Sequence, residues 1–413
     1  MISAKQYTTA MINDTNKDTW CVNAFHTMSG NNSGTTKICC MHRHEETYSL
    51  VDKTIQGCFN QPDFLQVRKD LDAGIKSSQC DLCWEEERAG RKSKRLRDND
   101  RYFDHLRRGG EPFNNLAIFE LNLGNTCNLK CRTCAPHSSS QWFKEDFDTR
   151  GSKFYPSFKI YSDDMKKYHQ TYDEESNFWP DLENNLDNIY QMDFYGGEPF
   201  MSKKMWHILE ILIERGLSNR IELHYATNGT HWPEEKIKLF QHFKKINLTF
   251  SIDGVGKQFE FMRHPAKWDE VKENMERARS LDYSSLKGTM SWGITSSILN
   301  IYNLPETIEE YKKNYSSDFG HFLNLVHGPI HFNISKLPNH AKEALISKLE
   351  TIPKEYADTW IHLPGIINFI RNGTFEKLVW DKFLKEVKTH DQYRNENYSE
   401  VFPEWAEILG IKK

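Results

Sequence analysis

Three cysteines within eight residues are the most chemically specific feature of this chain. Cys127, Cys131 and Cys134 stand at C-x3-C-x2-C in Gly124-Asn-Thr-Cys-Asn-Leu-Lys-Cys-Arg-Thr-Cys-Ala-Pro136. Thiolates so close together can wrap one corner of an iron–sulfur cube. A [4Fe–4S] cube has four irons, so three protein ligands leave one iron open to a substrate or cofactor. Two other readings stay open. His137 follows Cys134 at C-x2-H, so a Cys3His zinc site is arithmetically available, although structural zinc usually draws its ligands from two separated knuckles. The three thiols could also be unrelated core residues.

A second group of cysteines lies upstream. Gln79-Cys-Asp-Leu-Cys-Trp84 is a C-x2-C knuckle, and Cys21, Cys39, Cys40 and Cys58 precede it. Cys21, Cys39, Cys80 and Cys83 make a four-ligand set, with Cys40 or Cys58 able to replace one member. Such a set closes a metal site, and zinc is as good an arithmetic fit as a cluster. The nine cysteines are an odd number, which argues against a disulfide framework. Their segregation, with six before residue 84 and none after 134, points to two metal sites.

The elements that must hold these residues follow from the apolar pattern. Segments 116–123, 189–195, 221–227, 246–252, 288–295 and 322–326 read as strands. Between them, Met205, Trp206, Ile208, Leu209, Leu212 and Ile213 form a helical stripe ending at Gly216, and Trp268, Val271, Met275, Ala278 and Leu281 form another. Strands alternating with helices predict an α/β fold, a parallel sheet wholly or partly closed as a (β/α)6 barrel. Active sites of such sheets lie at the C-terminal ends of the strands. The unusual residues fall there: Cys127 after the first strand, Gly196-Gly-Glu-Pro199 after the second, Asn228-Gly229 after the third and Asp253-Gly254 after the fourth. The last two are also ordinary turn chemistry.

These motifs, in this order, resemble those of the radical S-adenosylmethionine (radical SAM) superfamily over about residues 115–335. The cysteine loop resembles the family signature, and Tyr195-Gly-Gly-Glu-Pro199 resembles its GGEP motif. Ala226-Thr-Asn-Gly229 and Ser251-Ile-Asp-Gly254 are similar to its third- and fourth-strand motifs, and Phe261-Met-Arg-His264 to a later segment. The resemblance implies that Cys127, Cys131 and Cys134 bind a [4Fe–4S] cluster and that S-adenosylmethionine chelates its open iron. It assigns the cofactor's amino group to Gly196, Gly197, Glu198 and Pro199, its ribose to Asn228, Ser251 and Asp253, and its carboxylate to Arg263. It implies reductive cleavage to a 5′-deoxyadenosyl radical that abstracts hydrogen from a peptide or small-metabolite substrate. An electron donor such as flavodoxin or ferredoxin would serve it. Thr36-Lys-Ile-Cys-Cys40 and Cys80-Asp-Leu-Cys-Trp-Glu-Glu-Glu-Arg-Ala-Gly90 are similar to parts of the twitch (shortened SPASM) domain of such enzymes, which carries an auxiliary [4Fe–4S] cluster. Here that domain would precede the barrel rather than follow it, and Ile38 replaces a common proline. No catalytic side chain is singled out.

Composition limits the alternatives. With 38% hydrophobic and 27% charged residues the chain reads as globular and soluble, and a net charge of −4 over 413 residues points to neither a nucleic-acid nor a membrane partner. A zinc-knuckle interaction protein without catalysis is the competing class. No long apolar stretch predicts a membrane span, and the N-terminus shows no signal-peptide pattern, so a reducing cytoplasm is expected. The Cys-, His- and Asn-rich residues 1–84 read as short loops around metal, and the basic run 88–97 as a solvated helix and linker. The expected division is a metal domain with linker at 1–112, a barrel at 113–336 and a helical extension at 337–413.

Overall fold

The computed structural model describes residues 12–43, 48–107, 115–281, 288–356, 359 and 362–411. The first eleven residues, the 112/113 boundary and Trp360 lie outside them. The chain forms two compact units, one of residues 1–125, 166–225 and 235–246, the other of 126–165, 226–234 and 247–413.

All six expected strands form: β3 (Ile118–Asn122), β4 (Gln191–Tyr195), β5 (Glu222–Thr227), β6 (Lys245–Ser251), β7 (Thr289–Ser296) and β8 (Phe319–Leu325). Two more precede them, β1 (Thr27–Gly30) and β2 (Thr36–Lys37), and the sheet order is β2-β1-β3-β4-β5-β6-β7-β8. β1 pairs parallel with β3, while β2 turns back antiparallel on β1. The mostly parallel α/β sheet expected for a partial barrel is therefore present, with eight strands instead of six.

In the first unit, Phe119, Leu121, Met192, Phe194, Leu223 and Tyr225 are buried on one face of the sheet. The Lys203–Glu214 helix packs there through the predicted stripe. Ser202 caps it by accepting from Met205 N at 3.2 Å, and Gly216 beyond its end adopts a φ of +68°. The opposite face of β3 to β5 is polar. The register places Glu120 beside Asp193 and Asp193 beside His224. The Lys94–Arg107 helix meets this face, its Lys94 Nζ 3.0 Å from Glu120 Oε1 and its Arg101 donating to Gln191 Oε1 at 3.3 Å.

Two expectations for the N-terminal part need correction. Residues before 84 are not loops alone: Val22–His26, Ile55–Phe59, Pro62–Asp72 and Asp81–Arg88 are helices, and β1 joins the main sheet. The first two helices have only 5 residues each, too short for a 3.6-residue period to stand out, whereas the third, of 11, buries Phe64, Val67 and Leu71 at a helical spacing that sequence reasoning missed. Nor is the basic run simply solvated. Arg95 pairs with Glu87 at 2.8 Å and donates to Trp20 O at 2.8 Å, and Arg91 lies 3.4 Å from Glu86, with both arginine side chains at most 7% exposed.

In the second unit β6, β7 and β8 run parallel. Trp292 of β7 is fully buried among Trp268, Tyr311 and Tyr315. The tail is helical as expected, with helices Asn339–Leu349, Leu363–Arg371, Lys377–Arg394, Tyr398–Val401 and Pro403–Leu409. Trp405 anchors it by stacking on Tyr302 at 4.8 Å and donating from Nε1 to Ile298 O at 2.7 Å. Among the described residues no helix is long and apolar enough to cross a membrane.

Candidate active site

The second unit holds the three-cysteine loop. Cys127 is buried, and Cys131 and Cys134 are partly so. Leu129 N points at Cys127 Sγ at 3.4 Å, and Asn228 Nδ2 stands 3.8 Å from the same sulfur. Asn228 is set by its neighbours. Its Nδ2 donates to Asn128 Oδ1 at 3.0 Å, Thr230 donates to its Oδ1 through Oγ1 at 2.6 Å and through N at 2.9 Å, and Asn128 in turn donates to Thr230 Oγ1 at 2.8 Å. The expected turn at Asn228-Gly229 is real, with Gly229 at φ +74°, and the same turn aims the amide at the thiol.

The loop backbone is held at both sides of Cys131. Lys130 N donates to His264 O at 2.7 Å and Arg132 N to Met262 O at 2.8 Å, and Cys134 N closes a turn on Cys131 O at 3.0 Å. The Arg263 guanidinium reaches Cys131, with Nη1 3.9 Å from Sγ, and pairs through Nη2 with Asp253 Oδ2 at 2.9 Å. Thr295 N donates to the other Asp253 oxygen at 3.2 Å. Asp253 and Arg263, expected separately as cofactor contacts, are thus partners of each other. Ser251 ends β6 opposite Gly293 and is half-buried.

The donor set suits a cationic metal core. Burial pushes the Cys134 thiol up to about 12, with Cys131 beside it adding to the rise. Burial raises Cys131 as well, against the pull of Arg263. Three thiols largely withdrawn from water cannot ionise together without positive charge to meet them, which iron would supply. Among the described residues no three His, Cys, Asp or Glu side chains converge on a place for one metal ion.

The GGEP turn belongs to the first unit. Gly196 and Gly197 follow β4 with φ of +75° and +51°, in the left-handed region. A Cβ on Gly196 would lie 1.8 Å from Asn122 Oδ1. Glu198 is buried, and its Oε1 accepts from Phe200 N at 3.1 Å at the start of the Pro199–Met201 turn. The carboxylate therefore shapes the turn, whatever else it meets.

None of the nine cysteines is in a disulfide. Cys21, Cys39, Cys80 and Cys83, the four-ligand set proposed from spacing, line one cavity of ≈ 380 Å³ including its open side, together with His42, Trp84 and Arg95. Neither Cys40 nor Cys58 is in that lining. Cys40 is exposed, and Cys58 is buried beside Thr36. Sequence reasoning missed Asn128, Thr230, Lys130 and Arg132. Nothing in their types or spacing distinguishes them from ordinary loop residues.

Residues 121–315 match the model of the Radical SAM superfamily. No curated protein matches the sequence. Among solved structures, anSMEcpe with bound AdoMet is similar at 15% identity and a TM-score of 0.37, over 59% of this chain and 60% of that one. Streptococcus suis SuiB bound to S-adenosylmethionine is similar at 11% identity and a TM-score of 0.32, over 72% of this chain and 57% of that one. SuiB bound to precursor peptide SuiA is similar at 10% and 0.29, over 75% and 56%. The chain thus spans less than two thirds of the length of these structures. The matched span, residues 121–315, contains the three-cysteine loop, the Gly196-Gly197 turn, Asn228, Asp253 and Arg263.

Proposed function

We propose that this chain cleaves S-adenosylmethionine reductively to begin hydrogen abstraction from a peptide or small-metabolite substrate. The observation that carries the reading is the dressing of two of the three thiols. Cys127 Sγ faces Leu129 N and Asn228 Nδ2, and Cys131 Sγ faces Arg263, all within the matched span. Donors aimed at sulfur stabilise thiolate, the form that binds iron. Cys127, Cys131 and Cys134 would hold a [4Fe–4S] cluster, which supplies the electron for the cleavage when bound. Asn228 and Arg263 fix the two thiolates. Gly196 and Gly197 give a turn without Cβ atoms, suited to close approach of the cofactor's amino group; Ser251 and Asp253, at the ends of strands, offer oxygens to its ribose. An electron donor of flavodoxin or ferredoxin type completes the cycle, and the peptide class of substrate rests on the twitch resemblance.

The N-terminal set is assigned an auxiliary [4Fe–4S] cluster. Support comes from four thiols around one cavity, one of them two residues beyond β2 and two in the knuckle. Four ligands close such a cluster, so its roles would be electron transfer or shaping of the substrate pocket.

The test is anaerobic reconstitution with iron and sulfide, reduction by dithionite, and mass spectrometry of 5′-deoxyadenosine. Wild type should form it without added substrate, and Cys131→Ala should not. Cleavage by Cys131→Ala at the wild-type rate would refute the assignment.

A further inference from the structure

The residues on either side of Cys131 are tied to the C-terminal extension. Arg132 has a side chain only 1% exposed, its Nη1 2.7 Å from Asp391 Oδ1 and its Nη2 2.5 Å from Glu396 Oε2. The guanidinium lies over the Phe261 ring, 3.8 Å from its centroid. Lys130 Nζ lies 2.8 Å from Glu145 Oε2, and Glu145 also accepts from Arg394 Nε at 3.0 Å and meets His390 Nδ1 at 2.7 Å. Asp391, Arg394 and His390 belong to the Lys377–Arg394 helix. Asn395 then takes a left-handed φ of 52°, which turns the chain so that Glu396 faces Arg132 and His264, with His264 Nδ1 2.5 Å from Glu396 Oε1.

This extension is itself fixed. Tyr398 N donates to Asp391 Oδ2 and Tyr398 OH to Leu299 O, both at 2.7 Å, while Phe261 packs against Tyr398 and Phe402. A loop of eight residues with three thiols has no regular secondary structure to shape it. What shapes this one is a pair of backbone bonds to 262–264 and two buried charge networks whose anions come largely from the far end of the chain.

We propose that the C-terminal extension is a clasp that holds the cysteine loop in cluster-ready form before iron arrives, with Arg132 and Glu396 as its principal positioning residues. The inference rests on the cluster assignment above but concerns the metal-free protein. A buried ion pair is costly to break from one side, because the remaining charge is left unpaired. Its worth here is geometric: two carboxylates and one planar guanidinium define a single placement for Arg132, the residue after Cys131. Preorganisation of this kind should appear as amide protection in the apo loop and as a faster, more uniform uptake of metal.

The experiment compares full-length wild type with Glu396→Gln, Arg132→Lys and Arg132→Met. Anaerobic amide hydrogen exchange is measured on the metal-free proteins, followed by iron and sulfide uptake at about 400 nm and electron paramagnetic resonance of the reduced product. Glu396→Gln, a near-isosteric change, guards against loss of folding in the Arg132 variants. Exchange across 127–134 should rise about tenfold or more in Glu396→Gln and Arg132→Met while β7 stays protected. Uptake should slow by a similar factor and the resonance should broaden, with Arg132→Lys intermediate because an ammonium holds one carboxylate but not the fork. Wild-type exchange and uptake in both Glu396→Gln and Arg132→Met would overturn the clasp. A rise spread evenly over the unit would also overturn it, since the acids would then support folding in general. If wild type gains no cluster yet the exchange effect appears, the clasp stands and the cofactor assignment fails. If wild type gains one and the variants match it, the reverse holds.

Discussion

Arg263 faces two anion-forming partners at once: its Nη2 lies 2.9 Å from Asp253 Oδ2, and its Nη1 lies 3.9 Å from Cys131 Sγ. The ion pair is buried, with side chains 12% and 4% exposed. Arg263→Gln should therefore cost about 3–5 kcal/mol in the metal-free protein, because Asp253 keeps a buried charge with no cation beside it. The double variant Asp253→Asn/Arg263→Gln should recover most of that loss. Denaturant unfolding of the four proteins of the cycle measures the coupling. Additive losses would mean that the two residues act separately.

Gly196 should resist even the smallest side chain. Its φ is +75°, and a Cβ would lie 1.8 Å from the Asn122 side-chain oxygen. Gly196→Ala should cost about 1–3 kcal/mol from the strained backbone and weaken S-adenosylmethionine binding about tenfold, while the visible spectrum of the reconstituted protein stays the same. Adding Asn122→Ala should relieve the steric part and leave the torsional part. Equilibrium binding and thermal unfolding of single and double variants separate the two.

The Glu145 cluster gives a pH dependence with a defined sign. Burial would raise the Glu145 carboxyl, but His390, Arg394 and Lys130 outweigh it and bring the group down to about 2. A carboxylate depressed on folding contributes stability that is complete above its unfolded value near 4.5 and lost as pH falls towards its folded value. Glu145→Gln should thus lower the unfolding midpoint of the metal-free protein most at pH 7, and the gap to wild type should narrow from about pH 4.5 downward. A gap constant down to about pH 3 would show that packing, not charge, is what the substitution removes.

The N-terminal cavity makes a counting prediction. With cubes at both sites the wild type should hold close to eight irons per chain, and Cys80→Ala/Cys83→Ala close to four. Cleavage of S-adenosylmethionine without substrate should survive in the double variant. Its residues before 84 should become protease-sensitive, because metal binding supplies much of the folding energy of a segment with short elements. One zinc and four irons in the wild type would make the site a structural knuckle.

The order of chemistry along the chain was legible from residue types alone. Cysteine spacing and the glycine-rich turn name their chemistry locally, and the six strands of the α/β pattern could be read because a buried strand is a short, dense apolar run. The four thiols of the N-terminal cavity were also reachable by counting. What needed the tertiary structure was everything that depends on distant residues. The two five-residue helices before residue 84 carry too few turns to show a period, and the place of β1 in the main sheet depends on pairing with β3, some ninety residues away. The same holds at the site. Arg132 looks like any charged loop residue until Asp391 and Glu396 close on it, more than 250 residues later in the chain. Asp253 and Arg263 were expected as separate cofactor contacts, and only folding shows that they also pair with each other. Local sequence can specify a turn or a ligand set, but a buried charge finds its partner only when the chain has brought both out of water together.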